Sequence, residues 1–145
     1  MLYPGKKTLC KGGTSIKPRE KAIALAQAAW EKNAQDTVLL DMKTLTDVTD
    51  YFIICSADSD RGVKTIVDNI EKKLKELGLK IMGIEGYTEG RWVLIDTSDV
   101  IIHVFYDPVR RFYDLEGLWI DAPRIKLAFE DGFSRQHKKR QEDYA

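Results

Sequence analysis

Hydrophobic positions recur at helical spacing in two segments of the chain. Pro18 is well suited to the first turn of a helix that ends near Asn33. Its apolar stripe comprises Ile23, Ala26, Trp30 and Ala34. The second segment follows the spacing i, i+3, i+4, i+7, i+11 and i+14 with Val63, Ile66, Val67, Ile70, Leu74 and Leu77. Gly78 then stands where a C-terminal cap is expected, so the pattern predicts two amphipathic helices.

Short runs of β-branched and apolar residues predict strands in the rest of the chain. They cover residues 37–42, 50–56, 80–84, 91–96 and 100–106. The turn-like residues 97–99 join the last two into a β-hairpin. A short helix from Pro108 to about Leu115 closes the domain. The order α-β-β-α-β-β-β-α predicts an α/β fold, with a single mixed β-sheet packed by helices.

The charge of the chain is balanced overall but unevenly distributed. Its 145 residues carry 23 Lys and Arg against 23 Asp and Glu, with a pI near 6.7. Zero net charge argues against general coating of nucleic acid, which draws its affinity from phosphate neutralisation. Lysines and arginines concentrate in both tails, so the middle is acidic. We expect a flexible basic N-terminal arm at 1–17, a folded domain at 18–123 and a polar basic C-terminal tail at 124–145.

Cysteine usage and hydropathy indicate a cytoplasmic protein. Cys10 and Cys55 form no CxxC pair, and neither His103 nor His137 lies near a cysteine, so no disulfide framework or zinc site is indicated. No apolar run approaches the roughly 20 residues of a membrane span. The first residues also lack the apolar core of a signal peptide. We therefore expect no membrane association.

The acidic turn before the second helix has two interpretations. Asp58 and Asp60 could hold Mg²⁺ beside a phosphate, as paired carboxylates do in phosphoryl-transfer sites. Alternatively, Ser59 or Asp58 caps the helix and Asp60 complements its dipole. The turn itself, residues 56–61, contains no glycine before Gly62, which disfavours a phosphate cradle and favours the cap.

Other isolated polar residues are more simply structural than catalytic. His103 lies inside an apolar strand with no nucleophile motif nearby, which favours a hydrogen-bonded structural histidine. Cys55 is likewise expected to be a small core residue. Asp41 and Asp96 end apolar strands and could converge at one sheet edge as metal ligands, although carboxylates at strand ends are common.

Two segments are rich in aromatic residues and arginine. Residues 85–92 place aromatic, arginine and carboxylate side chains around two glycines, a composition typical of protein interfaces. A buried tryptophan at a strand start is the alternative for Trp92. In residues 110–119, Phe112, Leu115 and Trp119 have the spacing of a stripe that docks a helix onto the core.

The motifs, taken in order, resemble the ribosomal silencing factor (Iojap-like) family. They are DYFIICS at 50–56, SDR at 59–61, EG at 85–86, RWVLID at 91–96, DVIIHVF at 99–105 and FYDLE at 112–116, with Leu118 and Trp119 following. The likeness runs from about Glu20 to Pro123. It departs from the family at turn or surface positions, namely 57–58, 97–98 and Gly117.

This resemblance implies a nucleotidyltransferase-like topology without the catalytic set, used for binding. It implies no enzyme activity, cofactor or metal. The implied partner is the large ribosomal subunit, through its fourteenth protein on the intersubunit face, where bound protein blocks the small subunit and represses translation under nutrient limitation. The family's contact surface includes the strand that begins at Trp92, and we extend the candidate partner-binding set to Arg91, Glu85, Tyr87 and Glu89.

Three alternatives stay open at this point. A metal-dependent nucleotidyltransferase-like enzyme would use Asp58, Asp60 or Asp96. The basic arms could contact nearby rRNA directly, with a steep dependence on salt. The free protein could also form a homodimer through a sheet edge or the aromatic surface.

Overall fold

The computed structural model describes residues 16–129. The elements, in chain order, are α1 (Pro18–Trp30), β1 (Gln35–Asp41), β2 (Tyr51–Ala57), α2 (Asp60–Glu76), β3 (Gly83–Glu85), β4 (Trp92–Asp96), β5 (Val100–Tyr106), α3 (Asp107–Tyr113) and α4 (Leu115–Leu118). The predicted order is confirmed, and α4 is an additional short helix. The predicted strand at 80–84 begins later than expected. Within the predicted residues 80–82, Ile81 packs against the core and the Met82 amide donates to the Asp96 carbonyl, and the strand itself begins at Gly83.

The five strands form one mixed sheet in the order β1-β2-β5-β4-β3. β2 and β5 are parallel, and the other neighbouring pairs are antiparallel. The two parallel strands lie at the centre, and their near-continuous apolar sequences are buried. This is the buried pattern expected of parallel strands, so the α/β fold class with a single mixed sheet is confirmed.

One face of the sheet, the first face, packs against α1 and α2. The predicted stripe of α2 from Val63 to Leu74 is buried there. Gly78 has φ +70°, as the predicted C-terminal cap requires. The stripe predicted for α1 is only partly correct, because the buried face of α1 consists of Lys21, Ala22, Leu25, Ala26, Ala28 and Ala29. Four of these residues are alanines, whose small side chains allow α1 to approach the sheet and α2 closely.

Lys21 connects α1 to the hairpin turn between β4 and β5. Its ammonium donates hydrogen bonds to the Thr97 carbonyl at 2.9 Å and to the Asp99 carboxylate at 2.7 Å. The lysine is buried, and its charge is therefore paired where solvent could not stabilise it.

The opposite, second face of the sheet carries a smaller core. Leu40, Met42, Ile54, Phe105 and Ala122 form its buried part. Val109, Leu115 and Trp119, from α3, α4 and the residue after α4, pack against these residues. α3, α4 and Trp119 cover only part of the second face, and the aromatic side chains beside them form the candidate site.

The chain after α4 returns along the outer edge of β1. The Asp41 amide donates to the Pro123 carbonyl, and the Ile125 amide donates to the Leu39 carbonyl. Leu127 is buried in the main core, and Phe129 packs on Trp30 with ring centroids 5.4 Å apart. Residues 124–129, expected to start the C-terminal tail, therefore pack against the domain; residues 1–15 and 130–145 lie outside the described range.

Candidate functional site

Trp92 is the centre of an aromatic cluster on the second face of the sheet. As the first residue of β4 it is half-buried, with its ring centroid 4.8 Å from that of Phe105 and 5.0 Å from that of Tyr113. Its indole Nε1 donates a hydrogen bond to Nδ1 of His103 at 3.1 Å. The buried-tryptophan interpretation thus applies in part, because Trp92 packs on Phe105 and Tyr113 but is only half-buried; its contact with a partner stays a prediction.

His103 is buried beneath this cluster. It is 4% exposed, and burial lowers its pKa to about 4, so the imidazole is neutral at physiological pH. The Phe52 ring meets it edge-on at a centroid distance of 4.7 Å. The structural, hydrogen-bonded histidine predicted from the sequence is confirmed at Nδ1, whereas the buried Nε2 has no hydrogen-bond partner among the described residues.

The segment from α3 to Ile120 carries four exposed apolar or aromatic side chains, here called the apolar ridge: Phe112, Tyr113, Leu118 and Ile120. Phe112 is 79% exposed, Tyr113 56%, and Leu118 and Ile120 71% each. The Phe112 and Tyr113 rings meet edge to face at 5.0 Å, which connects the ridge to Trp92 through Tyr113. The predicted docking stripe is correct for Leu115 and Trp119 but wrong for Phe112. α3 ends at Tyr113, and Asp114 takes a left-handed conformation (φ +47°) before α4, so a single helical spacing does not run through the segment.

Arg110 anchors the ridge to the sheet. Its Nη2 donates to the Glu116 carboxylate and to the Asp36 carbonyl, both at 2.7 Å, and Nη1 donates to Ser56 Oγ at 3.0 Å and to the Gln35 carbonyl at 3.2 Å. Burial opposes ionisation of Glu116, but the hydrogen bond and charge of Arg110 outweigh it and hold the pKa below its ordinary value. The sequence showed that arginines and carboxylates are paired in this segment. That Arg110 is the buried arginine depends on the bulge in β1, which brings the Gln35 and Asp36 carbonyls to its guanidinium.

The residues predicted to bind a partner lie on different surfaces. Glu85 pairs with Leu94 across β3 and β4, and sheet alternation places it on the second face with Trp92. Tyr87 instead faces α2, where its hydroxyl hydrogen-bonds the Asp68 carboxylate at 2.9 Å, which raises the pKa of Tyr87. Trp92 and Glu85 therefore share a surface that Tyr87 does not.

Glu89 and Arg91 line a cleft of about 390 Å³ at the start of α2, together with Asp58, Ser59, Asp60 and Tyr106. The Ser59 hydroxyl accepts a hydrogen bond from the Gly62 amide at 3.0 Å, which confirms it as the N-cap of α2. Asp58 accepts a hydrogen bond from the Gln35 side chain. Among residues 16–129, no group of three histidine, cysteine or acidic side chains converges to hold a metal ion.

The two strand-end carboxylates do not meet. Asp41 ends β1 and pairs with Lys43, whereas Asp96 ends β4, with β2 and β5 between the two strands. Cys55 is fully buried in β2, and burial raises its pKa to about 12, which confirms it as a core residue.

Glycines give the loop before Trp92 a defined conformation. Gly86 has φ +85°, and a Cβ there would collide with the Trp92 carbonyl oxygen. Gly90 has φ +68° and lies against Asp60 at the start of α2. The loop therefore leads into Trp92 along a path that side chains at these positions would obstruct.

Within the part of the chain that the structure describes, no helix has the length and apolar character needed to cross a membrane.

Comparisons with known proteins agree on one family. The family model described as "Ribosomal silencing factor during starvation" matches residues 15–145. "Ribosomal silencing factor RsfS" of Bacillus subtilis is 43% identical over 104 residues, covering 72% of this chain and 88% of that protein. The same-named protein of Halalkalibacterium halodurans is 42% identical over 100 residues, covering 69% and 86%. A crystal structure of a Chromobacterium violaceum protein superposes with a TM-score of 0.71 at 34% identity, covering 78% of this chain and 93% of that one.

Proposed function

The chain belongs to the ribosomal silencing factor family, and on this premise we propose that it binds the large ribosomal subunit and represses translation. The proposed contact is the fourteenth protein of that subunit, on the face that the small subunit joins. Bound protein would occupy the space of the small subunit and prevent joining when nutrients are limiting. The action is cytoplasmic and steric, and it requires no catalysis.

The observation that carries this proposal is the apolar ridge beside Trp92. Large aromatic and aliphatic side chains rarely form exposed clusters on proteins that act alone, and such clusters mark interaction surfaces. Phe112, Leu118 and Ile120 are each more than 70% exposed although the same segment contributes Leu115 and Trp119 to the core. Aromatic residues at the centre of an interface typically supply most of its binding energy.

The ridge and Trp92 are held in place before any partner arrives. Arg110 joins α3 and α4 to β1 and β2 through four acceptors, and Trp92 is packed between Phe105 and Tyr113. Side chains that are already ordered lose little conformational entropy on binding. We therefore assign Trp92, Tyr113 and Phe112 to the centre of the docking surface. Glu85 lies on the same face as Trp92, whereas Arg91 and Glu89 line the cleft at the start of α2 and Tyr87 faces α2.

The charge of the folded body fits a basic ribosomal protein. Residues 16–129 carry 19 Asp and Glu against 16 Lys and Arg, a net charge of −3 that the remaining residues offset. Opposite charge on the partner would speed association, and the apolar centre would slow dissociation. The basic residues outside this range are the proposed contacts with nearby rRNA. A specific interface of this kind buries about 1,200–2,000 Å² in total.

Sedimentation with isolated large subunits tests the proposal. Trp92→Ala and Phe112→Ser are expected to reduce the bound fraction and to restore joining of small subunits, measured by sucrose-gradient profiles. Val48→Ser is the matched control, since Val48 is an apolar side chain 50% exposed in the connection between β1 and β2, at the opposite end of the sheet from Trp92. Unchanged sedimentation of both surface variants, with folding verified by circular dichroism, would remove the ridge from the interface.

The same preparation separates the alternatives. Calorimetric titration with ATP and Mg²⁺ should give no binding heat, whereas a Mg²⁺-dependent heat would favour a nucleotidyltransferase-like enzyme at the cleft of Asp58, Asp60 and Glu89. Binding that falls steeply with salt and disappears on removal of residues 1–17 and 133–145 would instead assign the affinity to direct RNA contact. Sedimentation equilibrium of the free protein tests the homodimer.

A further inference from the structure

The hydrogen bond between Trp92 and His103 connects the docking surface to the interior of the sheet. Trp92 and His103 lie on adjacent strands, where His103 is the register partner of Leu94 and therefore a diagonal neighbour of Trp92. The Nε1 to Nδ1 distance is 3.1 Å, and a tryptophan indole has only this one polar atom, a donor. Its hydrogen-bonding capacity is thus fully used inside the protein.

This bond determines which imidazole nitrogen carries the proton. Nδ1 can accept from the indole only if it is unprotonated, so a neutral His103 holds its proton on Nε2. Nε2 is buried and has no acceptor among the described residues. A buried donor without a partner costs about 1–3 kcal/mol. If the imidazole ring turned by 180°, a carbon atom would replace Nδ1 and the indole N–H would lose its acceptor. The observed orientation therefore keeps Nδ1 as the acceptor for Trp92.

The imidazole is also prevented from turning. Phe52 contacts it edge-on at 4.7 Å, and the Phe105 ring lies nearly parallel to it at a centroid distance of 6.3 Å. Phe105 in turn packs on Trp92 at 4.8 Å. Trp92 is therefore constrained by its packing on Phe105 and Tyr113 and by a directional bond from its edge.

We propose that His103 is a positioning residue for the docking surface: it accepts the Trp92 indole N–H, fixes the orientation of the ring and leaves only carbon atoms of Trp92 for the partner. This inference rests on the proposed function. It specifies that the partner meets Trp92 with apolar side-chain atoms and offers no hydrogen-bond acceptor to it. His103 itself does not contact the partner.

Two amide substitutions of His103 test the role of the acceptor. In His103→Asn the side-chain oxygen can take the position of Nδ1, whereas in His103→Gln the amide lies near the position of Nε2. Both are uncharged and polar, so they share the cost of a buried amide. We expect His103→Asn to bind large subunits within about threefold of the natural chain and His103→Gln to bind at least tenfold more weakly.

Two further readouts distinguish positioning from general stability. The Trp92 indole N–H resonance, assigned by its loss in Trp92→Phe, should keep its hydrogen-bonded shift in His103→Asn and move in His103→Gln. In the Trp92→Phe background, which has no N–H to orient, His103→Gln should cause no further loss of binding.

The outcomes separate the two proposals. Equal losses for His103→Gln with Trp92 and with Phe at position 92 would show a merely structural role and overturn the inference. Full binding by His103→Gln, when Trp92→Ala binds poorly, would do the same and leave the docking surface intact. If Trp92→Ala itself binds normally, the proposed docking surface is refuted, whatever the effect of His103→Gln. Should His103→Gln not fold, a Trp92 indole resonance in the natural chain at the shift of a solvent-exposed N–H would overturn the inference.

Discussion

Acid should destabilise the protein through His103 in a defined pH window. The folded chain holds this imidazole with a pKa of about 4, against an ordinary value of 6.5, because it is 4% exposed. The rings that contact it, Phe52, Trp92 and Phe105, do not titrate in this range. The perturbation is therefore a change of pH, and the matched variant is His103→Asn, which does not titrate.

The sign and size follow from proton linkage. Above pH 6.5 the imidazole is neutral in both states and costs nothing. Between pH 6.5 and about 4 the unfolded chain binds a proton that the folded chain does not, so the free energy of unfolding falls as pH falls. Each pH unit contributes about 1.4 kcal/mol, so lowering the pH from 7.5 to 5.0 should cost about 2 kcal/mol through His103 alone. Below the folded pKa the loss stops growing.

Urea unfolding at both pH values measures this contribution. Carboxylates such as Glu116, whose pKa is also lowered, contribute equally in the natural chain and in His103→Asn and cancel in the comparison. We expect the natural chain to lose about 2 kcal/mol more than the variant between pH 7.5 and 5.0. Equal losses in the two proteins, or an imidazole resonance of His103 that titrates near 6.5, would refute the assignment of a buried neutral imidazole.

Three further predictions concern the elements around the site. Gly86→Ala should lower the free energy of unfolding by at least about 1–2 kcal/mol, because φ is +85° and the new Cβ meets the Trp92 carbonyl, whereas Gly83→Ala, with open space around it, should change it by less than about 0.5 kcal/mol in urea titrations. Arg110→Met should cost about 3 kcal/mol, because the partly buried Glu116 carboxylate and the Asp36 carbonyl lose the guanidinium that donates to them, while Arg111→Met, at an exposed ion pair, should cost less than about 0.5 kcal/mol by the same measurement. Iodoacetamide should label Cys55 only after unfolding, as mass spectrometry of its peptide would show, because the thiol is fully buried with a pKa of about 12.

Each of these has an outcome that contradicts it. Equal effects of the two glycine substitutions would mean that the left-handed conformation at Gly86 is not required. Equal costs for the two arginine substitutions would mean that Arg110 is no better paired than a surface residue. Rapid labelling of Cys55 in the folded protein would place it outside the core.

The candidate site was only partly predictable from the sequence. Trp92 was identified through its strand and the family resemblance, and its half-buried position on the second face follows from strand alternation. Tyr87 belongs to the same motif, yet its side chain bonds to Asp68 on α2. Neighbours in sequence diverge here because the loop turns through Gly86, where φ is positive, and no local pattern specifies the direction of the next side chain.

Local patterns by themselves predicted the fold class and the elements other than α4. The spacing from Val63 to Leu74 specifies α2, Gly78 ends it, and the apolar run from Val100 to Tyr106 specifies β5, because burial periodicity and backbone preference act over a few residues.

Only the tertiary structure decided which apolar side chains stay exposed. Phe112 has the spacing of a core residue but is exposed, because α3 ends at Tyr113 and Arg110 fixes its rotation through acceptors on β1, β2 and α4. Those acceptors lie up to 75 residues away in the chain. Exposure depends on such long-range contacts, and for that reason the apolar ridge beside Trp92 could not be identified from the sequence.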